Sequence, residues 1–205
     1  MKIARLLIAL TLLTCARTAL GQTETFDAAT FAAPTGWSRT ESPGFLSFQA
    51  SKTQNGRLSN CQIYLFASGA SPATPAANFQ SEWNVKIVQP LRTPARPNPK
   101  IELRPDGWTA FSSFVDLLQN GVPYRTILYT ATESGRFMSV VANYTAGACQ
   151  TEFGNFFQSL RFSTSAPPPQ NTTPKSKLAG KTPTTVTGVP FSSMALPTMA
   201  GLAAN

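Results

Sequence analysis

The dipeptide Asn120-Gly121 constrains the fold most, because it separates two long runs of strand-forming residues. Asn-Gly suits the two-residue turn of an antiparallel hairpin, in which both central residues need positive φ. The flanking runs, 108–118 and 124–132, are rich in aromatic and β-branched residues. Ser134-Gly135 predicts another turn before a third run at 136–144. These segments predict an antiparallel meander.

The first half of the chain predicts further strands. The runs 37–41 and 45–52 flank Ser42-Pro43-Gly44, which is a hairpin pattern. The run 61–67 alternates and is rich in strand formers. A short first strand is predicted over 26–31.

Two helices are predicted between and after these strands. Thr74-Pro75 supplies an N-cap and a proline at the first helical position. One apolar face follows at steps of three and four residues, which is the helical period; it consists of Ala76, Phe79, Trp83 and Ile87. Pro90 is expected to end this helix. A stiff loop is predicted over 93–99, and a final helix over about 149–160.

These elements predict an α+β domain over residues 22–162. We expect a single antiparallel sheet of about six strands with two helices packed on it. A weak echo, in which Pro34-Thr35-Gly36-Trp37 recurs as Pro105-Asp106-Gly107-Trp108, suggests two meander-plus-helix halves sharing one sheet. The offsets between the matching segments differ, so chance similarity stays open.

Residues 1–21 have the pattern of a secretory signal peptide. Ala19-Leu20-Gly21 fits the small-x-small cleavage rule, so cleavage is expected before Gln22. Lipidation at Cys15 is the alternative. No other stretch approaches the ~18 apolar residues that a membrane span needs, so no transmembrane segment is expected after cleavage.

The tail, residues 163–205, is rich in Pro, Thr, Ser and Lys. Such a composition buries too little apolar surface to offset its ordering entropy, so a disordered tail is predicted. The net charge is +8, but residues 22–162 carry 11 basic and 9 acidic side chains. Because the basic excess lies in the leader and the tail, nucleic acid is not an expected partner.

Two cysteines, Cys61 and Cys149, remain after removal of the leader. An even number of cysteines in an exported chain predicts a disulfide between them. Without histidine or a CxxC motif they do not form a tetrahedral zinc site, and a cysteine nucleophile lacks its usual base. Two free buried thiols are the alternative.

The chain has no histidine, which excludes Ser-His-Asp and Cys-His catalysis. The acids of the body are scattered and no motif pairs them; they are Glu24, Asp27, Glu41, Glu82, Glu102, Asp106, Asp116, Glu133 and Glu152. No phosphate-binding or dinucleotide-binding loop is found. We therefore predict that the protein is not an enzyme and binds no cofactor or metal.

Several aromatic residues of the strands could form a ligand-stacking platform, although packing in the core is the more common role of such residues. They are Trp37, Trp108, Phe111, Phe114, Tyr124 and Tyr129. Trp83 is expected to pack its helix on the sheet.

The run Phe31-Ala32-Ala33-Pro34-Thr35-Gly36-Trp37 resembles the F-x-x-P-x-G-W opening of PsbP-like domains. Those domains are α/β/α sandwiches around an antiparallel sheet, and the resemblance implies such a sandwich over roughly residues 24–162. Members include photosynthetic extrinsic subunits and bacterial envelope proteins, and they resemble non-catalytic binding and assembly modules. The resemblance implies no particular partner. Neither the disulfide nor the proline-rich tail belongs to its general pattern.

The expected protein is exported, periplasmic or extracellular, and binds an envelope protein or polymer without catalysis. Two alternatives stay open. A carrier of a small apolar ligand or lipid would need a cavity of roughly 300 Å³ between sheet and helices. A carboxylate-dependent hydrolase acting on an envelope glycan would need two carboxyl groups about 5–10 Å apart.

Overall fold

A computed structural model describes residues 21–54, 56–119, 121–145 and 147–163. The predicted tail, apart from Ser163, lies outside these residues, as does the predicted leader apart from Gly21. The strands are β1 (Thr23–Phe26), β2 (Ala29–Ala32), β3 (Ser38–Ser42), β4 (Phe45–Gln54), β5 (Arg57–Phe66), β6 (Gly69–Ala70), β7 (Lys100–Leu103), β8 (Thr109–Gln119), β9 (Val122–Glu133), β10 (Arg136–Thr145) and β11 (Arg161–Phe162). The helices are α1 (Pro75–Trp83), a π-helical segment (Asn84–Val88), α2 (Gln89–Leu91) and α3 (Gln150–Ser159). None of the described helices is long and apolar enough to cross a membrane.

The strands form two antiparallel sheets. The larger has eight strands in the order β3-β4-β5-β10-β9-β8-β7, with β6 paired to the start of β10. The smaller has three strands in the order β1-β2-β11. The prediction of a single sheet of about six strands carrying two helices is therefore wrong, because the fold is dominated by strands in two sheets.

The additional strands escaped prediction because they are short. β6 and β11 have two residues each, too few to show a period of two. The stretch predicted as one strand over 26–31 contains the turn of a hairpin between β1 and β2. Asp27 turns this hairpin with a φ of 52°, a left-handed conformation that Asp tolerates better than most residues.

The long strands form two meanders. β3-β4-β5 and β8-β9-β10 are both three-stranded and antiparallel, and they meet where β5 pairs with β10. This arrangement matches the two halves that the sequence echo suggested. The predicted hairpins at Ser42-Pro43-Gly44 and between β8 and β9 are confirmed by the pairing of their flanking strands.

Both faces of the larger sheet are covered. Val140 and Ala142 point into a core shared with α3 and the smaller sheet. Val141, between them, points into a second core beneath α1, because successive side chains of a strand alternate between faces. In this second core Phe79, Trp83 and Ile87 are buried, as the helical spacing predicted.

The prediction that Pro90 ends the first helix is wrong. A π-helical segment precedes Pro90, and in it the N–H of Gln89 donates to the carbonyl of Asn84, five residues back. Proline has no N–H for the carbonyl four residues before it, so a wider turn lets the helix pass this position. The helix ends at Leu91, and Arg92 follows with a φ of 48°.

Acid is expected to weaken the fold through two ion-paired carboxylates. Hydrogen bonds from Arg125 lower the pKa of Asp116, and a hydrogen bond from Lys52 lowers that of Glu152. Their ordinary pKa values are 3.8 and 4.5. Because the folded pKa values are depressed, this stabilisation is complete above the ordinary values and is lost as pH falls through the folded ones. Both groups are near solvent, so each contributes less than about 1 kcal/mol.

The measurement is the urea midpoint as a function of pH, compared with the variant D116N/E152Q. The midpoint of the unmodified protein should fall more steeply below about pH 4.5 than that of the variant. Equal slopes would show that these two pairs contribute nothing to the acid sensitivity.

Candidate binding cleft

An open cleft of about 450 Å³ lies between α1 and the larger sheet. Helix α1 contributes one wall, the loop before β7 contributes the opposite wall, and Phe111 of β8 lies between them. The lining residues are Ala76, Phe79, Gln80, Arg96, Pro97, Pro99 and Phe111. The ring centroids of Phe79 and Phe111 are 5.8 Å apart, so two aromatic side chains form the apolar part of the cleft.

Helix α1 is fixed over the sheet by its first turn. The Thr74 hydroxyl accepts a hydrogen bond from the Ala77 N–H at 3.3 Å, the N-cap that the sequence predicted. Asn78 is buried and donates to Thr132 Oγ1 of β9 at 3.3 Å, while its side-chain oxygen accepts from the Ser71 hydroxyl at 2.7 Å. Such bonds satisfy a buried amide and fix the helix relative to the strands.

The loop wall is held by two long-range hydrogen bonds. The indole N–H of Trp83 donates to the Ala95 carbonyl at 2.9 Å. The backbone N–H of Asn98 donates to Ser113 Oγ of β8 at 3.1 Å. Pro97 and Pro99 restrict the backbone next to these contacts. The cleft therefore has two walls that are largely preorganised in the unbound protein, which reduces the entropy lost on binding.

The chemistry of the cleft combines an apolar floor with a polar rim. Arg96 and Gln80 are exposed at opposite walls, one offering a guanidinium and the other an amide. Within the described part of the chain, Arg96 forms no ion pair, so its charge is available to a ligand. The arrangement suits an apolar group that carries or adjoins an anionic oxygen.

The predicted disulfide is present and lies away from this cleft. Cys61 of β5 is bonded to Cys149, which directly precedes α3, and their Cα atoms are 6.4 Å apart. Cys61 is completely buried in the core beneath α3. The bond ties the last helix to the larger sheet, and it fits an exported protein.

The aromatic residues do not form one stacking platform. Trp37, Trp108 and Tyr129 are buried in the core beneath α3, on the face opposite the cleft. Phe111 lines the cleft, whereas Phe114 is 51% exposed on the other face, with the Arg125 guanidinium 4.0 Å from its ring centroid.

Most of the scattered acidic residues of the domain form ion pairs with basic side chains. Arg39 binds two of them, Glu24 and Glu41. Six others form ion pairs as well; they are Asp27, Glu82, Glu102, Asp106, Asp116 and Glu152. Glu133 accepts a hydrogen bond from Ser134. No group of three or more potential metal ligands occurs in the described ranges.

Lys86 is an ion-paired lysine of the π-helical segment that follows α1. Burial lowers the pKa of its amine, and Glu82, at 3.4 Å, opposes that shift. The amine lies 3.4 Å from the centroid of the Phe66 ring. Lys86 does not line the cleft, and its ion pair and aromatic contact account for its position in the fold.

Sequence reasoning did not find the cleft. The sequence predicts Phe79 on a helix face and 93–99 as a stiff loop, and it names Phe111 only as one of six strand aromatics that could stack on a ligand. The available signal was the proline-rich loop that follows an amphipathic helix and contains an arginine. Nothing in the sequence shows that Arg96 and Gln80 line one cleft, because the position of the loop depends on the Trp83–Ala95 and Asn98–Ser113 bonds.

No family model matches the chain, and no curated protein matches it. Among solved structures, it is similar to a protein of Bacteroides thetaiotaomicron VPI-5482 with a TM-score of 0.47 and 12% identity, over 72% of this chain and 50% of that one. It is also similar to LpqN of Mycobacterium tuberculosis, which is involved in cell envelope biogenesis, with a TM-score of 0.41 and 12% identity, over 72% and 87% of the two chains.

These likenesses are distant and concern the fold alone. They do not single out the PsbP-like domains that the F-x-x-P-x-G-W run resembles. The chain spans half the length of the Bacteroides protein. Both TM-scores lie below 0.5, so neither likeness carries an argument about function.

Proposed function

We propose that the protein is an exported, non-catalytic binding module of the cell envelope that binds a partner protein through the cleft. The observation that carries the proposal is a preorganised apolar cleft of about 450 Å³ whose rim carries Arg96, an arginine that forms no ion pair with the described residues. An apolar side chain of the partner would pack against the floor that the contacting rings of Phe79 and Phe111 form. A neighbouring carboxylate would meet Arg96, since a guanidinium binds carboxylates with two parallel hydrogen bonds.

The pairing of the acids supports a non-catalytic role. A general acid needs a raised pKa at its working pH, and a cation next to a carboxylate does the opposite. Asp116 and Glu152 follow this rule, because their basic partners lower their pKa values.

A second candidate is a carrier of a small apolar ligand with an acidic end, such as a fatty acid. The cleft volume, about 450 Å³, falls in the range of small-molecule sites. The cleft is open on one side, so a long acyl chain would remain partly in water. This openness favours a protein side chain as the occupant.

The test uses a matched pair of variants on α1. Ala76 and Ala77 are neighbouring exposed residues, but only Ala76 lines the cleft. A76F should fill the cleft and A77F should leave it open, with the same added ring in each. In affinity capture from the envelope of the producing cell, a partner should be recovered with the unmodified protein and A77F, and recovery with A76F should fall at least about tenfold.

The control is a titration of the same three proteins with dodecanoate. Equal capture by all three would contradict a role for the cleft. Failure to capture any protein, together with dodecanoate binding that A76F abolishes, would favour the carrier. The thermal midpoint of each variant should stay within a few degrees of the unmodified protein, because both positions are exposed.

A further inference from the structure

The two edge strands of the larger sheet, β3 and β7, differ in the side chains that they expose to solvent. The β3 edge has the sequence Ser-Arg-Thr-Glu-Ser, and its Arg39 is ion-paired with Glu24 and Glu41. The β7 edge has two exposed apolar side chains, Ile101 at 64% and Leu103 at 81%. Sheet edges are usually protected by charge or by very short strands, because an open edge pairs with other strands. The β7 edge is short and carries Lys100 and Glu102, but its two exposed apolar side chains alternate with these charges.

The backbone of β7 presents hydrogen-bonding groups at this edge. Arg104, just after β7, donates its N–H to the Trp108 carbonyl at 3.0 Å and so continues the ladder with β8. Successive N–H groups of a strand point to opposite sides. The N–H and carbonyl groups of Ile101 and Leu103 therefore point away from β8, where the described residues place no further strand. Pro99 also faces outward and offers only its carbonyl.

Among two-fold axes centred on Lys100, Ile101 or Glu102, the charges of β7 favour one way in which this edge can pair with itself. In an antiparallel pair, outward-facing residues must lie opposite outward-facing residues. A two-fold axis centred on Lys100 places the two copies of Lys100 opposite each other. An axis centred on Glu102 places the two copies of Glu102 opposite each other. A two-fold centred on Ile101 places Lys100 opposite Glu102 of the second copy, twice. An axis centred on Leu103 would place Glu102 opposite Arg104, but that arginine is only 5% exposed and is already ion-paired within its own copy. Opposite charges directly across a sheet stabilise it and like charges destabilise it.

We propose that two copies of this chain pair their β7 strands antiparallel, with the two-fold axis at Ile101. The two Ile101 residues exchange backbone hydrogen bonds. Each Leu103 N–H donates to the Pro99 carbonyl of the other copy. The Ile101 side chains meet on the face that carries α1, since Ile101 pairs with Phe111 within each copy. The dimer is a continuous sheet, and closed two-fold dimers are the commonest soluble assemblies.

This inference goes beyond the proposed binding function and does not depend on it. A two-fold axis perpendicular to the sheet leaves the α1 face of both copies on the same side of the dimer. Both clefts would therefore open on one side of the dimer. A partner with two binding segments would then be held more tightly than by a single cleft.

The test is a charge swap measured by sedimentation equilibrium, on the protein as the producing cell releases it. The unmodified protein should dimerise within a range of about 1–300 µM. K100E and E102K alone should each weaken dimerisation at least about tenfold, since each places like charges opposite twice. An equimolar mixture of K100E and E102K should form heterodimers, and the double variant K100E/E102K should dimerise again.

Three results would overturn the proposal. The first is an unmodified protein that stays monomeric throughout this concentration range, which would show that the β7 edge does not pair with a second copy. The second is dimerisation that neither single variant weakens. The third is weakened single variants that neither mixing nor the double variant restores. E102K also removes an ion pair with Arg104 at 3.1 Å, so circular dichroism of each variant checks its folding, and the double variant tests the register independently.

Discussion

Removing the Cys61–Cys149 disulfide is expected to lower the free energy of unfolding by about 4–5 kcal/mol. The bond links residues 88 positions apart, and closing so long a loop removes much entropy from the unfolded chain. The disulfide joins β5 in the centre of the larger sheet to the beginning of α3. Cys61 is completely buried, so its loss also disturbs the core.

The measurement is equilibrium unfolding in urea of C61A/C149A against the unmodified protein. Both should have the same helix and strand content by circular dichroism in the absence of urea. The unmodified protein with a reductant should lose a similar amount of stability, which separates the bond from the alanine substitutions. A loss below about 1 kcal/mol in both comparisons would contradict a stabilising disulfide.

Replacing Arg104 with methionine is expected to lower the free energy of unfolding by about 3 kcal/mol. The side chain of Arg104 is only 5% exposed. It donates to Asp106 at 3.2 Å, to the Tyr129 hydroxyl at 2.9 Å and to the Leu160 carbonyl at 2.5 Å. These bonds connect the segment after β7 to β9 and to the end of α3. The substitution R104M keeps most of the side-chain volume but removes the guanidinium from all three groups, although Asp106 and the Leu160 carbonyl each keep another donor.

Burial raises the pKa of Tyr129 to about 12, so this hydroxyl is neutral at neutral pH and accepts from Arg104. A matched control is R39M, the same substitution at an ion-paired arginine whose side chain is 41% exposed. That change should cost less than about 1 kcal/mol. R104K should recover only part of the loss, because one ammonium cannot replace a planar guanidinium with several partners. Equal losses for R104M and R39M would show that burial of Arg104 contributes little.

The sequence predicts the long elements of the fold because they carry periodic signals. β8, β9 and β10 have ten to twelve residues each and are separated by glycine-containing turns. The burial of Phe79, Trp83 and Ile87 follows from their helical spacing. The disulfide follows from cysteine number and compartment. These are local or compositional patterns, which a single sequence retains.

The features that were missed depend on short or long-range interactions. β11 comes directly after α3 and has only two residues, which pair with β2 near the start of the domain. The passage of the helix through Pro90 depends on a π-helical segment for which no sequence signal was found. The cleft depends on hydrogen bonds that bring the loop over β8. Each of these depends on tertiary contacts, so local propensity alone does not reveal it.

The most direct test of cleft-mediated binding is photo-crosslinking in the producing cell. A photoreactive benzophenone side chain would replace Gln80, which lines the cleft, and in a matched strain it would replace Ala77, which does not. The proposed function predicts a discrete crosslinked product from position 80 and none from position 77, lost when A76F is combined with the position 80 probe. The same product from both positions, or none from either, would contradict binding through this cleft.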